Sequence, residues 1–196
     1  MSTPSTDPRP LYARATAQAA EVIRAVRPGD LAGPTPCAEF DVRALLGHIV
    51  DGTRRVALIG EGADGQDLPR SVPDVDADRW AEAYEEVREQ ALKAWSGDDR
   101  LAWTVRLPWG EIPGHAALSA WVMETVAHTW DLSEAIGRPL PLDPELAEFA
   151  LATARQALPD EPREGRPFDA PRPAPEGAGA YERLAAWLGR EPLSRA

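Results

Sequence analysis

Asparagine is absent from this 196-residue chain, lysine occurs once, at Lys93, and cysteine once, at Cys37. A single cysteine excludes an internal disulfide and fits a reducing compartment. Basic residues are outnumbered, 21 against 32 acids, for a net charge of −11. That balance excludes nucleic acid or an anionic membrane as the main partner, since either needs a basic face. No segment approaches about 18 uncharged apolar residues, and the opening MSTPSTDPRPLYARA has no basic stretch followed by an apolar run. The expectation is a soluble, cytoplasmic protein. Arginine in place of lysine, no asparagine and abundant Ala, Gly and Pro point to a GC-rich coding genome. Histidine is scarce too, and His48, His115 and His128 can be weighed singly.

With 43% hydrophobic residues the chain can bury one core, which predicts a single domain. Residues 1–10 are polar and proline-rich and read as frayed. Leu11, Ala15, Ala19, Val22 and Val26 then share a helical face that stops at Pro28-Gly29. After the loop LAGPTPCAEF, Asp41 suits the N-cap of a second helix with Val42, Leu45, Ile49 and Val56 inward. A polar loop over 60–74 follows. Asp76 or Asp78 is placed to open a third helix, with Trp80, Tyr84, Val87, Ala91 and Trp95 in helical register and Gly97 at its end. RLAWTVRLPWGEIPG alternates polar and apolar residues around Pro-Trp-Gly, as a short hairpin or extended loop does. Residues 114–137 form the fourth helix, and Asp143-Pro144-Glu145 opens a fifth over 146–158. A proline-rich stretch over 159–177 should wrap the surface, and AYERLAAWLGR should dock a last short helix through Leu184, Trp187 and Leu188. The prediction is an all-α four-helix bundle over 1–158, with the 159–196 extension packed on the same domain. In such bundles metal sites are built from side chains on facing helices.

The fourth helix carries the chemistry. Ala117, Trp121, Glu124, His128, Leu132 and Ala135 follow steps of three and four, so they lie along one side of a helix that is otherwise apolar. A glutamate there needs a partner, because an unpaired buried charge costs several kcal/mol or neutralises itself. A metal shared with His128 one turn away supplies one, and an ion pair within the helix or to an arginine supplies another. The spacing alone does not decide. With 32 acids in 196 positions, a given histidine has about a one in three chance of an acid four residues to either side. His48 flanks the apolar stripe of the second helix, where the plain reading is a solvated edge histidine. His115 lies in the Pro-Gly turn before the fourth helix and reads as a solvated loop residue. Cys37, with no second cysteine and no histidine nearby in sequence, reads as a buried structural thiol. Trp109 is the exceptional tryptophan, since a Pro-Trp-Gly turn does not need an indole for packing; it is a candidate pocket wall.

Three segments, TPCAEFDVRALLGHIVDG, PWGEIPGHAAL and ETVAHTWDLSEAIGRP, in this order and separation, resemble the metal-binding proteins related to the N-terminal domain of mycothiol-dependent maleylpyruvate isomerase, within the wider DinB-like superfamily of thiol-dependent transferases and isomerases. The resemblance extends to the closing GRPFDAPRPAPEGAGAYERLAAWLGREP, which is similar to the ending of the compact single-domain branch. It implies a DinB-like bundle in which a histidine of the second helix and a Glu and His four apart on the fourth hold a metal. The matching positions are His48, Glu124 and His128.

Two imidazoles and one carboxylate leave the fourth position of a tetrahedral ion open, the pattern of a catalytic zinc site. Zinc is the first choice; Ni2+ or Fe2+ accepts the same donors. The resemblance further implies that mycothiol binds at the open position as a thiolate nucleophile toward a small electrophilic substrate. Asp131, three residues after His128, either orients a ligand from behind or bonds to nearby backbone. With Trp109 it completes the expected cofactor-binding set. The isomerase carries a larger C-terminal domain than the fifth helix and tail present here, which turns the expectation from maleylpyruvate isomerisation toward a thiol-dependent transferase or related enzyme. The competing class is a metal-binding module without turnover, acting as sensor, carrier or partner-binding protein. Monomer and homodimer both fit.

Overall fold

A computed structural model describes residues 7–138, 140–158, 160, 163 and 168–193. Along it run α1 (Arg9–Arg24), α2 (Val42–Gly60), α3 (Trp80–Ala94), the strands β1 (Thr104–Leu107) and β2 (Gly110–Pro113), then α4 (Gly114–Ile136), α5 (Pro144–Ala157) and α6 (Ala180–Trp187). The helix ends have local causes. Asp7 Oδ1 accepts the N–H of Arg9 at 2.9 Å, and Pro10 occupies the first turn, where its missing N–H is no loss, so α1 begins earlier than the expected fraying to residue 10. Residues 1–6 lie outside the described part. Asp41 caps α2 by accepting from Ala44 N–H at 2.8 Å, and Asp143 caps α5 with Pro144 behind it. At α3 the expectation fails: neither Asp76 nor Asp78 caps it. The N–H of Arg79 is instead turned back to Asp76 O at 2.9 Å, and the helix starts uncapped at Trp80. Gly137 ends α4 in the left-handed conformation, φ +61°.

The alternating stretch is a hairpin with Thr104 opposite Pro113 and Leu107 opposite Gly110, turned by Pro108 and Trp109. Val105 and Leu107 face the core while Thr104 and Arg106 face out, as a period of two requires.

The apolar interior falls into two clusters. One joins Tyr12 and Ala15 of α1 to Val56 and Ile59 of α2, Ala91 of α3 and Trp95 just past its end, and Leu118, Trp121 and Val122 of α4. The other joins Val22 and Ile23 of α1 to Leu45 and Leu46 of α2, Trp80 and Tyr84 of α3, and Leu132 and Ile136 of α4. The start of α1 and of α4 therefore share an end of the bundle with the finish of α2 and α3. The helices run up, down, down, up. α1 packs on α3 and α4, and α2 packs on the same pair from the opposite corner. Because α2 and α3 are parallel neighbours, the chain must return the length of the bundle between them, which is what residues 61–79 do. Ser71 Oγ donates to Asp51 Oδ1 at 2.6 Å and Arg55 Nη1 to Leu68 O at 2.8 Å, tying this crossover to α2.

α4 is the central helix. α1, α2, α5 and α6 all pack on it, and its buried residues lie all around its circumference, where the sequence pattern alone pointed to one inner face. Trp95 fixes the lower cluster: its Nε1–H donates to Val56 O at 2.9 Å, and its ring meets Trp121 edge-on at 5.4 Å. The indole occupies the space a Cβ on Gly60 would need, 2.6 Å from Nε1. α5 lies against α4, and α6 against α5. Of the proline-rich stretch, Asp160, Arg163 and 168–177 are described; Phe168 is buried, and Arg172 N–H donates to Ala186 O at 2.8 Å, so this part follows the surface of α6. Among the described residues no helix is long and apolar enough to cross a membrane.

Candidate metal centre

Between the two apolar clusters each helix of the bundle turns polar, at Thr16 on α1, Asp51 and Thr53 on α2, Arg88 on α3, and Glu124, His128 and Thr129 on α4. Antiparallel α2 and α4 bring His48, Glu124 and His128 together in this layer. One ligand-capable atom from each lies within 4.8 Å of the others. His48 Nε2 stands 3.4 Å from Glu124 Oε1. The two imidazoles meet edge to face, centroids 4.8 Å apart at 78°. Phe40 stacks on His48 at 5.1 Å and 27°, and touches the His128 ring edge-on at 6.5 Å. It is delivered by the loop before the Asp41 cap, which Thr35 folds by donating from Oγ1 to the carbonyls of Cys37 and Phe40.

Glu124 is not the fully buried carboxylate the spacing implied. Its side chain keeps 42% exposure because it opens onto a cleft, while that of His48 keeps 27% and that of His128 only 6%. Burial works against its charge, yet the contact with His48 and the fields of His128 and Arg70 outweigh it and hold the carboxyl below the ordinary glutamate range.

Behind His128 lies a second group. Its Nδ1 is 3.1 Å from Oδ2 of Asp131, which is completely buried. A carboxylate only accepts, so Nδ1 carries a proton, and in the neutral ring Nε2 is the nitrogen with the lone pair. Arg190 Nε lies 3.4 Å from Asp131 Oδ1, an ion pair longer than a well-formed hydrogen bond, and its Nη2 donates to Cys37 Sγ at 3.2 Å. Cys37, His128 and Asp131 also bring ligand-capable atoms within 4.8 Å. There, however, the guanidinium already supplies the positive charge, which makes this a filled electrostatic site. Burial raises the Cys37 thiol pKa, with Arg190 opposing.

The cleft in front of the triad has a volume of about 190 Å³ and is walled by α2 from His48 to Ile59, α4 from Trp121 to His128, the hairpin turn, Tyr12 and Arg70. Gly52, one turn on from His48, leaves open space where a side chain would stand. Trp109 sits at the rim, 66% exposed at the hairpin tip. Asp51 lines the cleft but is bound by Ser71 and Arg54. Tyr12, 1% exposed, places a hydroxyl here that has no hydrogen-bond partner among the described residues.

Of the residues singled out from sequence, the structure gathers His48, Glu124 and His128 into one cluster, puts Trp109 at the rim and puts Asp131 behind His128, out of the cleft. His115 is elsewhere, with Nδ1 3.4 Å from Leu101 O. Cys37 is buried as expected, but three-dimensional packing brings it beside His128 despite a separation of 91 positions in the chain. Sequence reasoning missed Phe40, Tyr12, Arg55, Arg70 and Arg190. Arg55 lies two turns after His48 on the same face of α2 and Phe40 just before that helix, while Tyr12, Arg70 and Arg190 have no spacing signal and reach the site through packing of distant segments.

Comparison with known proteins agrees with this architecture. The family model described as the mycothiol maleylpyruvate isomerase N-terminal domain matches residues 12–133. Two uncharacterized proteins of Mycobacterium tuberculosis, Rv0738 of strain H37Rv and MT0763 of strain CDC 1551, are each 33% identical over 185 residues, spanning 94% of this chain and 98% of the relative. The crystal structure of the mycothiol-dependent maleylpyruvate isomerase superposes with a TM-score of 0.57 at 14% identity, over 78% of this chain and 68% of that one, a likeness of fold. The chain belongs to the mycothiol maleylpyruvate isomerase N-terminal domain family.

Proposed function

We propose that this chain binds a divalent metal, zinc first, through His48, Glu124 and His128, and employs a low-molecular-weight thiol, mycothiol, as nucleophile for transfer to, or isomerisation of, a small electrophilic substrate. The observation that carries this reading is the convergence of two imidazoles and one carboxylate within 4.8 Å on the floor of an open cleft. The donors fit the group: an N2O set with one negative charge suits zinc, and Ni2+ or Fe2+ takes the same atoms. When bound, such an ion lowers the pKa of a coordinated thiol and holds it as thiolate.

The chain's own residues do the rest. Asp131 keeps the proton on His128 Nδ1, so Nε2 is the nitrogen available to a ligand. Phe40 covers the flank of His48 and keeps water from that side. Arg55 and Arg70 bring positive charge to the wall of the cleft in a chain of net charge −11, which favours an anionic ligand. Trp109 offers an exposed indole to a thiol cofactor at the rim. The thiol itself is carried over from the family and from the mycothiol dependence of the structural neighbour. A cytoplasmic setting accords with an intracellular thiol and the unpaired, buried Cys37.

One observation favours a second reading, a metal-binding module without turnover. Among the described residues the cleft offers no free carboxylate outside the triad, since Asp51 is engaged by Ser71 and Arg54. The test is to measure metal in purified protein, then to mix metal-loaded protein with mycothiol and an electrophile panel that includes monochlorobimane. Conjugate formation supports the enzyme. Retained metal with no conjugate across the panel supports the module, and a protein that takes up no divalent metal overturns both.

A further inference from the structure

The family model ends at residue 133, but the described residues that contact Asp131 include one from beyond α6. The route by which it arrives is written in the sequence WLGR. Gly189 N–H donates to Ala186 O at 3.1 Å and Arg190 N–H to Ala185 O at 2.9 Å, the paired bonds of a Schellman cap, with Gly189 in the left-handed region at φ +75°. A Cβ at Gly189 would stand 2.5 Å from Cβ of Asp169, so the turn is also pressed against the segment before it. The cap reverses the chain and sends the Arg190 side chain over the Phe168 ring, 5.5 Å from its centroid, into the bundle, where it keeps only 6% exposure. A buried guanidinium is placed at large desolvation cost unless it has an anion, and Asp131, with no exposure, is that anion.

We propose that Arg190 is a positioning residue of the metal centre: its ion pair holds the Asp131 carboxylate in place, Asp131 accepts from His128 Nδ1, and the ring is thereby set with Nε2 toward His48 and Glu124. This rests on the metal reading above for its effect on affinity, and on geometry alone for its effect on His128. Groups behind a metal-bound histidine typically change metal affinity by about 10–100-fold. Arg190 acts at one further remove, through the ion pair, and its C-terminal segment becomes part of the site.

The test is a double-mutant cycle on the full chain, titrating Zn2+ into Arg190→Gln, Asp131→Asn and the double variant, with 15N NMR of the histidine rings in metal-free protein. Arg190→Gln should weaken zinc about tenfold or more, and the same change should cost little in the Asp131→Asn background. In metal-free protein the His128 nitrogens should shift from one protonated at Nδ1 to a mixture of tautomers. Where Arg190→Gln does not fold, Arg190→Lys serves: it keeps the charge but not the planar fork, and should lose several-fold in the wild-type background and little in the Asp131→Asn background. Equal losses in both backgrounds, or no loss in the first, overturn the relay. A wild-type protein that takes no zinc overturns the metal reading instead, and the ring nitrogens then decide the relay alone: unchanged tautomers in Arg190→Gln, or in Arg190→Lys if only that folds, overturn it.

Discussion

Nε2 of His48 and Oε1 of Glu124 face each other at 3.4 Å, a contact that, with the edge-on His48 and His128 rings, joins α2 to α4 across the polar layer. It also places both atoms on the floor of a cleft that opens to solvent. On the metal reading proposed above, a divalent ion drawn in by the Glu124 charge would take His128 Nε2 as its third donor.

Removing any one donor should therefore cost most of the bound metal. His48→Ala, Glu124→Gln and His128→Ala should each fall well below stoichiometric zinc by elemental analysis, with helical circular dichroism retained for His48→Ala and Glu124→Gln, whose side chains are partly exposed. Stoichiometric zinc in any of the three removes that residue from the ligand set.

Gly52 allows the cleft to be filled without touching a donor. A leucine there meets no neighbouring atom at its Cβ and replaces a helix-interior glycine, so stability should rise by about 0.5–1 kcal/mol or hold. Zinc content should stay the same while thiol affinity drops at least about tenfold, as about 1.4 kcal/mol of lost contact requires. Undiminished thiol binding to Gly52→Leu places the thiol elsewhere.

Asp51 links stability to pH. Burial pushes its carboxyl up, but the bonds from Ser71 and Arg54 prevail and leave it below the ordinary aspartate range. A depressed folded-state pKa contributes stability that is present above the unfolded value, near pH 4, and is lost as pH falls through the folded value. Asp51→Asn should cost about 1–3 kcal/mol at neutral pH, and the gap to wild type should narrow steadily in urea titrations below about pH 4. A gap independent of pH means the charge of Asp51 contributes nothing.

Cys37→Ser separates the two candidate clusters. If His48, Glu124 and His128 are the donors, zinc content is unchanged, and the wild-type thiol, 4% exposed and raised in pKa by burial, resists thiol reagents until the protein unfolds. Loss of zinc in Cys37→Ser assigns the ion to Cys37, His128 and Asp131.

The helices, the hairpin and the Asp41 and Asp143 caps were legible because each rests on spacing or capping chemistry within a dozen residues. Asp76 and Asp78 misled because they belong to a turn over 76–79, with Ala77 and Asp78 at its centre, that closes one step before the helix. The triad was readable from Glu124 and His128 at one-turn spacing once resemblance added His48. Burial of Glu124 was misjudged, since a helical pattern reports which side faces inward and carries no word of a cleft cut into that side. Tyr12 and Arg190 could not be read at all: they reach the polar layer from opposite ends of the chain.

That polar layer has a mechanical meaning. It interrupts the apolar interior, so the two clusters are coupled mainly through the backbones of the four helices that thread both. An ion held by α2 and α4 at the seam would act as a cross-brace, because its binding energy is available only when both halves are folded at once. Metal-loaded protein should then unfold as one unit, with hydrogen exchange in the two clusters slowed together, whereas the bare chain can open one half ahead of the other.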